Sequence, residues 1–148
     1  MLQKAIKIAW QEALNSYKRD EIPTGAVIFN DNEILASSGN YVEEHHSILS
    51  HAELQVIKSA SQRVNNHRLN GYSMLSTLEP CCMCSGAIIH ARITKVYFLA
   101  SENKLPGLEQ VISLQGHNHI VKFEKLSLKD YDSSKLLKSF FQEKRKNI

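Results

Sequence analysis

His51-Ala52-Glu53 and, after 26 intervening residues, Pro80-Cys81-Cys82-Met83-Cys84 are the residues of this chain best suited to chemistry. His51, Cys81 and Cys84 offer one imidazole and two thiols, donor types that bind zinc. Three protein ligands leave a fourth position open to water, which is the arrangement of a catalytic zinc and not of a structural one. Glu53 stands two residues from the imidazole. It is a carboxylate beside the metal but outside the ligand set, and so a group able to move protons. A lone Cys-x-x-Cys carries little weight; His-x-Glu followed by Pro-Cys-x-x-Cys carries a great deal. A structural zinc would need a fourth protein donor. His45, His46, His67, His90, His117 and His119 could serve chemically, yet none stands at a ligand spacing.

These side chains meet only if particular elements carry them. Two residues are about half a helical turn, so His51 and Glu53 cannot share one side of a helix. They converge only at a helix N-terminus, where both side chains reach forward. Cys81 and Cys84, at i and i+3, share a face at the start of a second helix. Pro80 suits the first position of that helix, which needs no amide donor. The positive end of the helix dipole, with its free N–H groups, favours thiolates and so metal binding. The pattern predicts two helix starts facing each other across one zinc. Cys82 should point about 100° from Cys81 and is expected as a buried spectator, not a ligand. His45-His46 is expected as an exposed loop pair, not a second metal site.

The surrounding periodicity supplies those elements. Leu2, Ala5, Ile6, Ala9 and Ala13 form one stripe, with Lys4, Lys7, Gln11 and Glu12 opposite, which predicts a first helix to about Tyr17. Apolar runs at residues 25–29 and 33–37, joined by Asn30-Asp31-Asn32, predict two strands and a tight turn. Helices are expected at residues 51–63, 82–91, 108–114 and 131–145. Strands are expected at 72–77, 94–99 and 120–123. Strands separated by helices imply a sheet covered by helices on both faces, a three-layer α/β/α arrangement. Pro106-Gly107 marks a loop. No repeat or linker divides the chain, so residues 1–148 are expected to form a single domain.

Composition agrees. With 148 residues, 43% hydrophobic and 22% charged, the chain resembles a soluble globular protein. No apolar run approaches the roughly 20 residues that span a bilayer. Lys4, Lys7 and Glu12 interrupt the N-terminal apolar residues, so no secretory signal is expected and the expected location is cytoplasmic. The three cysteines lie within four positions, and an odd count cannot pair internally, which excludes a disulfide framework and fits a reducing compartment. Residues 122–148 carry eight Lys/Arg against four Asp/Glu, whereas residues 1–121 carry ten against eleven. The excess positive charge therefore lies in the tail, ending in Lys144-Arg145-Lys146. It reads either as a solvated helix end whose cations complement the C-terminal dipole or as a contact for a nucleic-acid backbone.

The order His-x-Glu…Pro-Cys-x-x-Cys is the signature of zinc-dependent nucleobase deaminases. Over nearly its whole length the chain resembles the bacterial-type tRNA-specific adenosine deaminases of the cytidine deaminase-like superfamily. The likeness is carried by Ile22-Pro-Thr-Gly-Ala-Val27, Gly39-Asn40, His51-Ala-Glu-Leu54, the run from Thr77 to Ile93, Asn118-His119 and Phe140-Phe141 before a basic end. The stretch from Cys81 to Ile93 is the most specific.

The resemblance implies a five-stranded mixed sheet with flanking helices, a homodimer, and conversion of the wobble adenosine of a tRNA anticodon to inosine. It implies one zinc per chain, held by His51, Cys81 and Cys84, and Glu53 as proton shuttle. Asn40 is implied as a contact to the target nucleotide, and Pro23, Gly25 and Ala26 as a wall of the base pocket. From the tail, Phe141 and Arg145 are expected to touch RNA; either at least one of Phe140 and Phe141 stacks on an unpaired base, or Phe140 packs in the core and Phe141 in a dimer interface. Two other functions compete: deamination of free guanine or cytosine on the same fold, and a zinc-bound RNA-binding subunit without turnover. The paired aromatics and basic triplet speak against the first, and Glu53 speaks against the second.

Overall fold

The sequence Gly-Ala-Val-Ile-Phe makes β1 (Gly25–Phe29) a strand buried along its whole length. Ala26 and Ile28 face one layer of helices while Val27 and Phe29 face the other, the alternation that a two-residue period imposes on a central strand. In this computed structural model, which describes residues 1–101, 105–114 and 116–147, β1 pairs antiparallel with both β2 (Ile34–Gly39) and β3 (Ser73–Ser76). The strands β4 (Lys95–Phe98) and β5 (Lys122–Lys125) continue from β3 in parallel. The mixed five-stranded sheet thus has the order β2-β1-β3-β4-β5.

Parallel neighbours need a crossover, and α4 (Cys82–His90) and α5 (Leu108–Ser113) lie in the two connections. With α3 (Ala52–Val64) they cover one face, where Val56, Ala60, Ile88 and Leu108 pack on Ala26, Ile28, Met74 and Val96. The other face carries α1 (Leu2–Lys18), whose Ala5, Ile6 and Ala9 meet Val27, Phe29 and Leu75. On the same side lies α6 (Ser133–Lys146). Asp132 caps its start by accepting from Lys135 N at 3.0 Å. Phe140 meets Tyr17 of α1 edge to face, with ring centroids 5.5 Å apart. No helix among the described residues is long and apolar enough to cross a membrane.

Three expectations need correction. The last strand is Lys122–Lys125, not 120–123, and all four of its residues are exposed. It is an edge strand held by backbone pairing, so the apolar Ile120-Val121 marks its approach and not its body. A short helix α2 (Val42–His45) and a 3-10 turn (Ile48–Ser50) fill the segment before α3; neither is long enough to show a period. His45 and His46 are exposed as expected, but His45 ends α2, stacks on Tyr41 and places its Nδ1 2.9 Å from Ser50 Oγ.

Gly25 has a packing role. A Cβ there would sit 1.9 Å from the carbonyl oxygen of Ala9, so only glycine lets α1 lie this close to β1.

Candidate functional site

His51 caps α3 in an extended conformation (φ −58°, ψ 146°), and Glu53 is the second residue of that helix. Cys81 caps α4 in the same way (φ −68°, ψ 175°), with Cys84 in its first turn. Two helix starts therefore face each other, as the spacing predicts. Pro80 sits two residues before the first helical position, just outside the cap, and its carbonyl accepts from Ser85 Oγ at 3.1 Å. Cys81 also forms a one-residue antiparallel bridge with Gly107.

His51 Nδ1 lies 3.8 Å from Cys81 Sγ and 3.5 Å from Cys84 Sγ, and the three donor atoms all fall within 4.8 Å of one another. Zinc–sulfur and zinc–nitrogen bonds of about 2.3 and 2.0 Å at a tetrahedral angle would separate neighbouring N and S ligands by about 3.6 Å. The trio fits zinc in donor type and in spacing. Cys82 is exposed and is not part of the donor group. This corrects the expectation of a buried side chain: as the first residue of α4 it stands at a helix end open to solvent.

The four groups are electrostatically coupled. The Cys84 side chain, hydrogen-bonded to Cys81 with His51 alongside, holds the Cys81 thiol down to about 4 against the opposing effect of burial. Cys84 is pushed up, by that same pairing with Cys81 and then by its own burial. The imidazole of His51 is raised, chiefly by its hydrogen bond to Cys81. Burial lifts Glu53 above the usual carboxylate range, with the charge of His51 opposing the shift.

His51, Cys81 and Glu53 line a cleft of about 960 Å³, while Cys84 is fully buried outside its lining; the volume is within the usual range for small-molecule sites. Asn40 lines it, nearly buried, and accepts from Val42 N through Oδ1 at 3.1 Å. A backbone N–H can only donate, so the oxygen must face Val42 and Nδ2 is left for other partners. Phe141 lines the cleft at 41% exposure, while Phe140 is 5% exposed against Tyr17.

Other expected positions move. Pro23, Gly25 and Ala26 are buried and do not line the cleft; Ile22 and Thr24 do. Gly25 faces the backbone of α1, and Ala26 belongs to the core beneath α3. Arg145 is exposed and outside the lining, whereas Lys144 lines it and pairs with Asp20. Sequence reasoning also missed Arg19, Glu21 and Glu79, which all line the cleft. Their only signal is adjacency to the motifs; in sequence the buried Glu21 looks like any exposed acid.

Residues 1–100 match the cytidine and deoxycytidylate deaminase zinc-binding region family. The tRNA-specific adenosine deaminase of Aquifex aeolicus (strain VF5) is 39% identical over 146 residues, covering 97% of this chain and 95% of that protein. The enzyme of the same name from Agrobacterium fabrum is 36% identical over 142 residues, covering 95% and 93%. A solved structure from a study of A-to-I editing by tRNA:A34 deaminases at the wobble position superposes with a TM-score of 0.85 at 33% identity. It covers 90% of this chain and 99% of that one. A guanine deaminase from Nitrosomonas europaea, at TM-score 0.75 but 19% identity over 92% of this chain and 82% of that one, shares the fold. The chain belongs to the cytidine and deoxycytidylate deaminase family and, within it, to the tRNA-specific adenosine deaminases.

Proposed function

We propose that this protein, acting as one domain over residues 1–148, converts the wobble adenosine of a tRNA anticodon to inosine. Water adds at the ring carbon that bears the exocyclic amine, the carbon–nitrogen bond breaks, and ammonia leaves. His51, Cys81 and Cys84 would hold a zinc ion, which would supply Lewis acidity, lowering the pKa of a water to about 7. Glu53 accepts the proton of the attacking water, passes it to a ring nitrogen, and delivers a proton to the departing amine. Asn40 offers Nδ2 to the nucleotide. The observation carrying this reading is a buried carboxylate next to three clustered zinc donors, two of which line one cleft with it. Near-full-length likeness to tRNA-specific adenosine deaminases supports the substrate. A base in a duplex must be extruded to enter such a cleft, whereas an anticodon loop presents its bases unpaired.

A homodimer belongs to the same reading. Ile48 and Leu49, 68% and 63% exposed on the turn before His51, are apolar surface that a second copy would cover. A cytoplasmic location fits a tRNA substrate. The free-base alternative draws only on a shared fold, and the non-catalytic one leaves Glu53 without a task. Incubation with total tRNA, and separately with free guanine and cytosine, should give inosine and ammonia from tRNA alone. Ammonia from a free base with no inosine in the tRNA would overturn the reading.

The tail takes part through binding. Removing residues 144 to 148 deletes Lys144, Arg145 and Lys146 and should weaken binding of an anticodon stem-loop, with zinc content unchanged. At about 0.7 per phosphate contact on single strands, the slope of log affinity against log salt should become shallower by up to about 2. Equal affinity at every salt concentration would reduce the tail to a solvated helix end.

A further inference from the structure

One wall of the cleft, from Asn40 to Glu44, hangs on side chains of α1 and of the segment after it. Ser16, fully buried, accepts from Asn40 N at 3.0 Å. Arg19 donates to the Asn40 carbonyl at 3.0 Å, and its guanidinium lies 4.0 Å over the Tyr41 ring. Glu21, 1% exposed, receives one backbone N–H on each carboxylate oxygen: Glu43 N on Oε1 and Glu44 N on Oε2, both at 2.9 Å. Between these anchors, Val42 N–H holds Asn40 Oδ1.

Burying a carboxylate is costly, and an apolar side chain would pack this spot without that penalty. What an apolar side chain could not supply is a pair of acceptors matched to two adjacent amides. We infer that Glu21 is a positioning residue for the deamination. By fixing the backbone at residues 43 and 44 it sets the Val42 N–H, which in turn turns the Asn40 carboxamide so that Nδ2 faces the cleft. The inference rests on the proposed contact of Asn40 with the target nucleotide. Glutamine at position 21 is nearly isosteric but turns an NH₂ toward an N–H, a donor against a donor. The wall then loses one tether, and a small misplacement of a contacting group is enough to slow a reaction strongly.

The test is a double-mutant cycle on an anticodon stem-loop, reading kcat/KM and zinc content for wild type, Glu21→Gln, Asn40→Ala and the double variant. Glu21→Gln should lower kcat/KM by about 10- to 100-fold with full zinc. The double variant should be no worse than Asn40→Ala alone, because Glu21 acts through Asn40. Effects that multiply in the double variant would make Glu21 a fold-stabilising residue only and overturn the inference, as would wild-type kcat/KM in Glu21→Gln. Wild-type kcat/KM in Asn40→Ala would instead remove the contact on which the inference stands. Should Glu21→Gln fail to fold, the same cycle with Glu21→Asp, which keeps the carboxylate at shorter reach, is read by the same rule.

Discussion

Glu53→Ala should give a protein that folds, holds its zinc and scarcely turns over. The side chain is buried at the second position of α3, beside the donors but outside the donor set. Its removal therefore leaves the metal site complete. A positioned general acid–base contributes about 10²- to 10⁴-fold. Glu53 is asked to serve the attack, the ring protonation and the departure of ammonia, so the loss should lie at or beyond the upper end of that range. Single-turnover inosine formation, with zinc measured on the same sample, isolates the effect. Near-normal ammonia release from the zinc-loaded variant would sink the shuttle.

Cys84→Ala should have the opposite signature, losing zinc and activity together. Cys84 is buried, and its Sγ lies 3.5 Å from His51 Nδ1. Without it two donors remain, too few for a stable tetrahedral site. Metal binding energy contributes to folding energy where the site forms only in the folded chain, so the melting temperature should fall as well. Cys82→Ala is the internal control: the side chain is exposed and outside the donor group, so zinc, stability and turnover should all stay. Full zinc occupancy in Cys84→Ala would refute the ligand assignment.

The donor geometry was legible because it depends on local rules. A histidine as helix cap, and two cysteines one turn apart at another helix start, have few ways to converge, and the structure brings them within 4.8 Å. The sheet was legible for a similar reason, since β1, β3 and β4 are short apolar runs bounded by turns and helices. What escaped depends on contacts across the fold. Ile22 and Thr24 line the cleft while Pro23 and Gly25 turn away. A motif read as a block cannot show which alternate residues face inward. Lys144 lines the cleft where Arg145 was expected, because one residue is about 100° on a helix. Pro80 lies outside the helix rather than at its first position because Cys81, extended and bridged to Gly107, takes the cap position. Glu21 offers no hint in sequence that its carboxylate is buried on the amides of Glu43 and Glu44.

The place of α6 on α1 has a consequence for the order of assembly during synthesis. All three metal donors have been added by residue 84, but Phe141 and Lys144, which line the cleft, follow about sixty residues later. The N-terminal residues are also the first to be synthesised. Sheet and metal donors can therefore gather while one wall of the cleft is still missing. That wall closes only when Phe140 settles against Tyr17, joining the last helix of the fold to the first. The cleft is therefore complete only once both ends of the chain have been made and α6 has docked on α1.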